Sequence, residues 1–299
     1  MKKLKDVVLF NPYLDEVVTI DKKGRDNSIL SLWACSRHLS KLDFDVLINL
    51  HPNERCSFID AMTSVKLRTG TTHKIFKWFW DVFTPLDRSM HAADMYLDVL
   101  QQLGVQDLSN NGLEIFPGEE HFLEAELFWQ EQNITDQDKL IGFNIGSAVP
   151  TKRWPPERFA EVADIFAAKG YKTVFFGGPM DEEMVAEATG YMQTRPIIAT
   201  GHFAIGGLAA AMRRCCLIIT NDSGPMHVAI SQKVPIVAMY GPSNPKLYGP
   251  YTKDAVIVTA QPPCQGCADG MKHSCDDLQC MSRMTVEQVV AAAEKMLEK

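Results

Sequence analysis

The sequence predicts an α/β protein with parallel sheets, arranged as two domains. From about residue 140 onward, short apolar runs rich in valine and isoleucine alternate with amphipathic stretches. Strands that are apolar throughout are typical of a parallel sheet covered by helices on both faces. The 299 residues suffice for two domains. An acidic stretch at 114–138, with eight acidic residues and no lysine or arginine, separates two halves that we place at 1–136 and 137–299.

The elements follow from apolar periodicity and from the residues at their ends. The helix at 155–169, for example, has proline early and Gly170 just beyond its end. In the second half we predict strands at 140–145, 173–176, 196–199, 217–220, 234–240 and 255–258, and helices at 155–169, 181–192, 205–214, 225–231 and 286–298. In the first half the pattern is looser, and it predicts strands at 16–20, 45–50 and 66–68 and helices at 28–41 and 92–103.

Composition narrows the class of protein. The net charge is −7 and the isoelectric point is about 5.6, which argues against a general nucleic-acid binder. No apolar run approaches the roughly 18 residues of a membrane span. The apolar run at 7–10 is too short for the core of a signal peptide. We therefore expect a cytoplasmic protein.

The stretch TNDSGP at 220–225 is the first candidate site. It follows a buried strand directly and opens a helix, and ligands of open α/β sheets bind at the carboxyl ends of strands. A helix start offers unpaired N–H groups and partial positive charge to a phosphate. Gly224 would let the backbone approach a ligand, and Ser223 or Asp222 could cap the helix. The alternative is a well-capped helix without a ligand.

Three further strand exits have a similar character. The first, GSAVPTKRWPPERF at 146–159, holds Thr151 and Lys152, and a lysine beside a helix start is a point cation for a phosphate. The second, FFGGPMDEE at 175–183, ends in acidic residues including Glu183, which would accept ribose hydroxyls or simply favour a helix N-terminus. The third is YGPSNPKLYGP at 240–250. A solvated basic loop is the alternative for the first exit. Four such exits on one sheet indicate a nucleotide-sized cleft.

Together these motifs resemble glycosyltransferase family 9, the ADP-heptose:lipopolysaccharide heptosyltransferases. The matching text is TKRWPPERFAEVAD, VFFGGPMDEE, TNDSGPMHVA and VPIVAMYGPSNPKLYGP, with FNPYLDEVVTID, KKGRDNSILSLW and FDVLINLHPNERCS in the first half. The resemblance spans nearly the whole chain and is strongest over 140–250.

The resemblance implies a GT-B fold: two Rossmann-like domains with parallel sheets, the first for the acceptor and the second for the nucleotide sugar. It implies an inverting, metal-independent transfer of a heptose or related sugar from an ADP-sugar to the lipopolysaccharide core, at the cytoplasmic face of the inner membrane. Carried over by motif, Lys152 would contact the diphosphate, and Asp222, Ser223, Gly224 and His227 would form the donor loop. Thr151 and Glu183 match less closely. Because like charges repel, we expect Asp222 to cap N–H groups or bind a sugar hydroxyl.

One part of the family pattern is missing. Family members usually begin with a strand and a Gly-Asp loop, whose aspartate is thought to be the general base, and no match for it occurs here. We therefore expect a first domain short by about one βαβ unit, and leave the catalytic base unknown. Exposed strand edges would follow, which a homodimer or a rearranged sheet would cover. The alternative function is a non-catalytic homologue, or a fragment, that still binds nucleotide sugar.

On the acceptor side, His51, Asn53 and Arg55 follow a predicted strand. The stretch VKLRTGTTHKIFKWFW at 65–80 places Lys74 and other basic residues among aromatic ones. This stretch would meet the phosphates of a glycolipid or the surface of the inner membrane, or else pack as an amphipathic helix with its lysines outside.

The cysteines Cys264, Cys267, Cys275 and Cys280 cluster near the C-terminus with an initial C-x2-C spacing. Four thiolates would suit a structural zinc ion, with His273 as a substitute ligand. Free thiols fit the sequence equally well, and disulfides are less expected in a cytoplasmic chain. No cofactor is expected for catalysis.

Overall fold

A computed structural model of the protein describes residues 5–21, 24, 26–51, 53–71, 74–85, 87, 89–260, 267 and 275–298, without the side chains of 74 and 75. The chain forms two compact units, residues 18–110 and residues 5–17 with 111–298. The division at 110 precedes the boundary that we predict near 136. None of the helices in the described part of the chain is long and apolar enough to cross a bilayer.

The first unit contains a parallel three-stranded sheet in the order β1-β2-β3. Its helices and strands are α1 (Ile29–Ser40), β1 (Val46–Asn49), α2 (Glu54–Met62), β2 (Leu67–Gly70), β3 (Val82–Phe83) and α3 (Ala92–Gln101), with a 3-10 helix at Lys74–Phe79. The predicted strand at 16–20 is wrong, since no described strand pairs with that segment. An apolar run becomes a strand only where a neighbour supplies hydrogen-bond partners.

The second unit is built on a six-stranded parallel sheet in the order β6-β5-β4-β7-β8-β9. Its elements are α4 (Glu119–Glu131), β4 (Leu140–Asn144), α5 (Pro156–Ala168), β5 (Lys172–Phe176), α6 (Glu182–Tyr191), β6 (Ile197–Ile198), α7 (Ile205–Met212), β7 (Cys215–Asn221), α8 (Gly224–Ser231), β8 (Ile236–Met239), α9 (Pro245–Tyr248), β9 (Ala255–Val258), α10 (Gln279–Ser282) and α11 (Val286–Leu297). Every element predicted after residue 140 is present within a few residues of its expected ends.

The sheet of the second unit is buried on both faces, as its apolar strands predict. One core layer includes Phe143, Phe166 and Phe175, and the other includes Phe128, Phe176 and Met226. The helix α4 contributes to the second layer. Its acidic composition is more typical of a connecting segment, so the sequence did not predict this helix. Its Phe128 and Trp129 are buried, which explains why the second unit begins before the predicted boundary.

The strand order changes direction at the centre of this sheet. Chain order runs outward from β4 through β5 to β6 on one side, and from β7 through β8 to β9 on the other. Such a switch point leaves a crevice at the carboxyl ends of the two central strands, where open α/β sheets bind ligands. The TNDSGP and GSAVPTKRW stretches follow β7 and β4, so both lie at the switch point.

Candidate functional site

The N-terminus of α8 forms one wall of the crevice. Ser223 is its N-cap residue, in an extended conformation, but the Ser223 hydroxyl makes no capping hydrogen bond. A Cβ added at Gly224 would meet no atom within 4 Å. The first turn of a helix carries N–H groups without intrahelical partners. The helix therefore presents open donors and its positive dipole end to the space in front of Gly224.

That space is a cavity of about 540 Å³, within the size range of small-molecule sites. Its lining combines the glycines of two strand exits with an apolar wall. The lining residues are Val7, Leu113, Glu114, Ile115, Gly177, Gly178, Phe203, Ile205, Leu208, Gly224, Pro225, His227, Val228 and Ser231. Glycine and helix-start N–H groups suit a phosphate, and the apolar wall suits a flat ring.

Lys152 and Asp222 form an ion pair beside this helix start. The Lys152 Nζ lies 2.7 Å from Asp222 Oδ2, and the two side chains are 14% and 6% exposed. The hydroxyl of Ser243 donates a further hydrogen bond to the same carboxylate oxygen. We expected Asp222 to cap N–H groups or to bind a sugar hydroxyl. The carboxylate pairs with Lys152 instead of serving as a free cap, and binding of a sugar hydroxyl stays a prediction. A buried carboxylate needs a counter-charge, and Lys152 is within reach.

Tyr240 is a third neighbour of this carboxylate. Burial raises the pKa of the Tyr240 hydroxyl, and the charge of Asp222 raises it further. The hydroxyl donates a hydrogen bond to the carbonyl oxygen of Tyr248 at 2.8 Å. Tyr240 therefore remains a neutral donor at physiological pH and adds no negative charge to the site.

Two buried asparagines hold the loops in place: Asn144, which sequence reasoning missed, and Asn221, to which it gave no role of its own. Asn144, at the end of β4, donates from Nδ2 to Ser223 Oγ at 2.8 Å and to Thr220 Oγ1 at 3.1 Å. Asn221, at the end of β7, donates to the carbonyl of Ile145 at 2.7 Å and accepts from the N–H of Trp154 at 3.0 Å. A polar residue that closes an apolar strand is the signal that could have identified both.

The FFGGPMDEE exit divides into a structural part and an exposed part. Asp181 Oδ2 accepts a hydrogen bond from the N–H of Gly178 at 2.8 Å, and the carboxylate lies against the backbone of Gly146, leaving no room for a side chain there. Asp181 therefore stabilises the turn. Glu183 is exposed on the first turn of α6 and does not line the cavity. Thr151 is buried, with only 3% of its surface exposed.

The acceptor-side candidates lie in the first unit. His51 lines a cavity of about 500 Å³ with Asn49, Asp60 and Tyr96 among others. Asn53 is the N-cap of α2, where its side chain accepts from the N–H of Cys56. Arg55 donates from Nη2 to Asn27 Oδ1 at 2.6 Å. The side chain of Lys74 lies outside the described residues.

Asp60, which the sequence did not single out, is the most perturbed group of this cavity. Burial raises its pKa to about 7, although the Asn49 amide and Arg68 act in the opposite direction. The Asn49 Nδ2 donates a hydrogen bond to Asp60 Oδ2. A carboxyl with such a pKa exchanges protons near neutrality.

The predicted cysteine cluster is only partly visible. Cys264 and His273 lie outside the described residues, so the zinc site stays a prediction. Cys275 Sγ donates to the carbonyl of Asp277 at 3.2 Å, and Cys280 is buried. Among described side chains, no group of three or more histidines, cysteines or carboxylates is arranged to hold a metal ion.

Comparison with known proteins decides the family. The model of "Glycosyltransferase family 9 (heptosyltransferase)" matches residues 32–275. The chain belongs to glycosyltransferase family 9. A crystal structure of a family 9 glycosyl transferase from Veillonella parvula is 52% identical, with a TM-score of 0.94, over 99% of this chain and 86% of that one. The resemblance seen in the sequence is thereby confirmed, and with it the GT-B type of α/β fold.

Two further proteins are similar to this family 9 chain. The Escherichia coli ADP-heptose lipopolysaccharide heptosyltransferase II shares the fold with a TM-score of 0.76 and 20% identity, over 99% of this chain and 87% of that one. The Haemophilus ducreyi lipooligosaccharide heptosyltransferase 2 is 34% identical over 139 residues, 44% of this chain and 40% of that protein. The match thus spans about two fifths of that curated relative.

Proposed function

We propose that this family 9 protein transfers a heptose, or a related sugar, from an ADP-sugar to a lipopolysaccharide core acceptor. The observation that carries the proposal is the uncapped N-terminus of α8, open at Gly224 to a cavity of about 540 Å³ and flanked by Lys152. The names of the Escherichia coli and Haemophilus ducreyi relatives support heptose and the lipopolysaccharide acceptor.

In this proposal the diphosphate lies in front of Gly224. The acceptor hydroxyl attacks the anomeric carbon from the face opposite ADP and loses its proton. The attack inverts the configuration, and ADP leaves with the electron pair of the broken glycosidic bond. Negative charge grows on the departing diphosphate as the glycosidic bond breaks. The helix dipole and the Lys152 ammonium stabilise that charge, so the reaction needs no metal ion. His227 lines the cavity, where we place it near the nucleotide.

Lys152 already has a partner before the nucleotide arrives. The diphosphate must therefore share the ammonium with Asp222 or displace it. In the proposed role, Asp222 holds the ammonium in place for the nucleotide and remains its counter-charge afterwards. We place Thr151 as support for the Lys152 turn, because it is buried. Glu183, which is exposed on α6, would reach the ribose only from the rim of the site.

For the acceptor we propose the polar cavity of the first unit, with His51 in its wall and Arg55 on the adjoining helix. Asn53 supports the local structure by capping α2. We also propose that the basic and aromatic stretch at 65–80, including Lys74, contacts the inner membrane. A cytoplasmic location and a homodimer are further parts of the proposal.

Calorimetric titration with ADP, UDP and GDP tests the donor site first. ADP-selective binding is expected. Incubation with ADP-heptose and a heptose-deficient lipopolysaccharide core then tests transfer, with the product detected by mass spectrometry and its anomeric configuration by NMR. Activity should persist in EDTA. Binding of ADP without transfer would identify a non-catalytic nucleotide-sugar-binding homologue, and failure to bind any nucleotide would refute the donor site.

A further inference from the structure

Ser223 behaves unlike the other serine and threonine N-caps of the described helices. Ser28 caps α1 by accepting from the N–H of Ser31, and Thr285 caps α11 by accepting from the N–H of Gln288. Such bonds are the usual role of a serine or threonine at an N-cap. Ser223 occupies the same position on α8, in the same extended backbone region, but makes no capping bond. Another interaction must therefore hold its hydroxyl.

That interaction comes from Asn144, which is fully buried. Its Nδ2 donates to Ser223 Oγ at 2.8 Å and to Thr220 Oγ1 at 3.1 Å. The Ser223 oxygen thus accepts from the neighbouring strand instead of from the first turn of α8. A hydroxyl has one hydrogen to donate besides its acceptor sites. With its oxygen engaged by Asn144, Ser223 retains that hydrogen for a ligand, and the helix N–H groups keep theirs.

A second observation indicates that this arrangement is not optimised for folding. The Asn144 Oδ1 atom is buried and finds no hydrogen-bond partner among the described residues. A buried unsatisfied acceptor destabilises the folded state, and such atoms are uncommon in native proteins. An apolar side chain at position 144 would avoid this cost. The hydrogen bond from its amide to Ser223 therefore explains the asparagine better than a contribution to stability does.

We propose that Asn144 is a positioning residue which converts Ser223 from a helix cap into a hydrogen-bond donor for the diphosphate of the nucleotide sugar. The inference rests on the proposed function, because it deepens the assignment of the donor site. Asn144 does not touch the ligand itself. It acts through Ser223, and without it the serine would cap α8 and compete with the phosphate oxygens for the same N–H groups.

A double-mutant cycle on the full chain tests this role. ADP affinity is measured by calorimetry for the wild type, Asn144→Ala, Ser223→Ala and the double variant. Since each hydrogen bond to a charged group is worth about a factor of ten or more in affinity, each single variant should bind ADP about tenfold more weakly. The double variant should bind no more weakly than Ser223→Ala, because Asn144 acts only through the hydroxyl.

Controls separate this role from a general structural one. Adenosine, which has no phosphate, should bind all four proteins equally. If the effects of the two substitutions on ADP binding multiply, or if adenosine binding falls in parallel, Asn144 is merely structural and the inference is overturned. If Asn144→Ala does not fold, Asn144→Ser replaces it, since its hydroxyl is too short to reach Ser223. Absence of ADP binding by the wild type would refute the proposed function, a result distinct from unaltered ADP binding by Asn144→Ala.

Discussion

The backbone N–H of Trp154 donates a hydrogen bond to Asn221 Oδ1 at 3.0 Å. This bond ties the loop after β4 to the end of β7, so the basic loop and the helix start are parts of one rigid corner. The Trp154 ring is fully buried, and its Nε1 donates to the carbonyl of Met284 at 3.1 Å. The position of Lys152 thus depends on Trp154 and Asn221, which do not line the cavity.

Trp154→Ala should therefore destabilise the second unit by about 3–5 kcal/mol, the usual cost of removing a large buried aromatic side chain. Denaturant unfolding followed by circular dichroism measures the loss. Trp78, which is 92% exposed, provides the matched control: Trp78→Ala should change the free energy of unfolding by less than about 0.5 kcal/mol. Equal effects of the two substitutions would contradict the packing described for Trp154.

Lys152→Ala should weaken ADP binding by about 1–3 kcal/mol, the range for a charge-assisted hydrogen bond. It should also destabilise the protein, because Asp222 is left buried without its counter-charge. Adding Asp222→Asn to Lys152→Ala should restore stability without restoring affinity. Calorimetry and thermal unfolding of both variants measure the two effects. Unchanged ADP affinity in Lys152→Ala would remove the lysine from the site.

Gly224→Val should abolish detectable ADP binding and leave the fold intact. A Cβ at this position meets no atom within 4 Å, so the new side chain occupies the cavity without a clash. Gly190→Val is the control, since Gly190 also has open space around it but lies on α6, away from the cavity. Both variants should unfold at nearly the same temperature. Full ADP affinity in Gly224→Val would place the nucleotide elsewhere.

The raised pKa of Asp60 should make the stability of the first unit depend on pH. The pKa of its carboxyl is about 7 in the folded protein, against 3.8 for a free aspartate carboxyl. Between about pH 4 and pH 7 the folded state therefore holds a proton that the unfolded state has released. The free energy of unfolding is highest below about pH 4 in this respect, and it falls as the pH rises towards 7. Asp60→Asn should flatten that part of the stability profile and stabilise the protein at neutral pH. A loss of stability at pH 7 in Asp60→Asn would show that the ionised carboxylate is needed.

Local sequence patterns were sufficient for most of the second unit. The apolar run before Asp222 and the proline after Gly224 mark the end of β7 and the start of α8, because both signals act within a few residues. They were insufficient for the hydrogen bond between Asn144 and Ser223, which lie 79 residues apart in the chain. The pairing of Lys152 with Asp222 likewise depends on the adjacency of β4 and β7, which no local signal specifies.

Sequence patterns were also misleading where tertiary packing determines the secondary structure or the pKa of a residue. The helix α4 carries five glutamates, and its composition indicates a connecting segment, yet Ala125, Phe128 and Trp129 bury one face of it. The segment at 16–20 is rich in β-branched residues, as strands often are, but pairs with no described strand. Asp60 resembles any surface aspartate in the sequence, and only its burial in the fold gives it an unusual pKa.

The Lys152–Asp222 pair has a consequence for how fast a nucleotide arrives. Because Asp222 neutralises the ammonium, the site exerts little long-range attraction on an anion, and the chain as a whole carries a net charge of −7. Encounter then relies on diffusion, with the exchange of carboxylate for phosphate following at close range. The association rate constant of ADP should therefore respond only weakly to ionic strength, unlike that of enzymes whose unpaired cationic clefts steer their substrates.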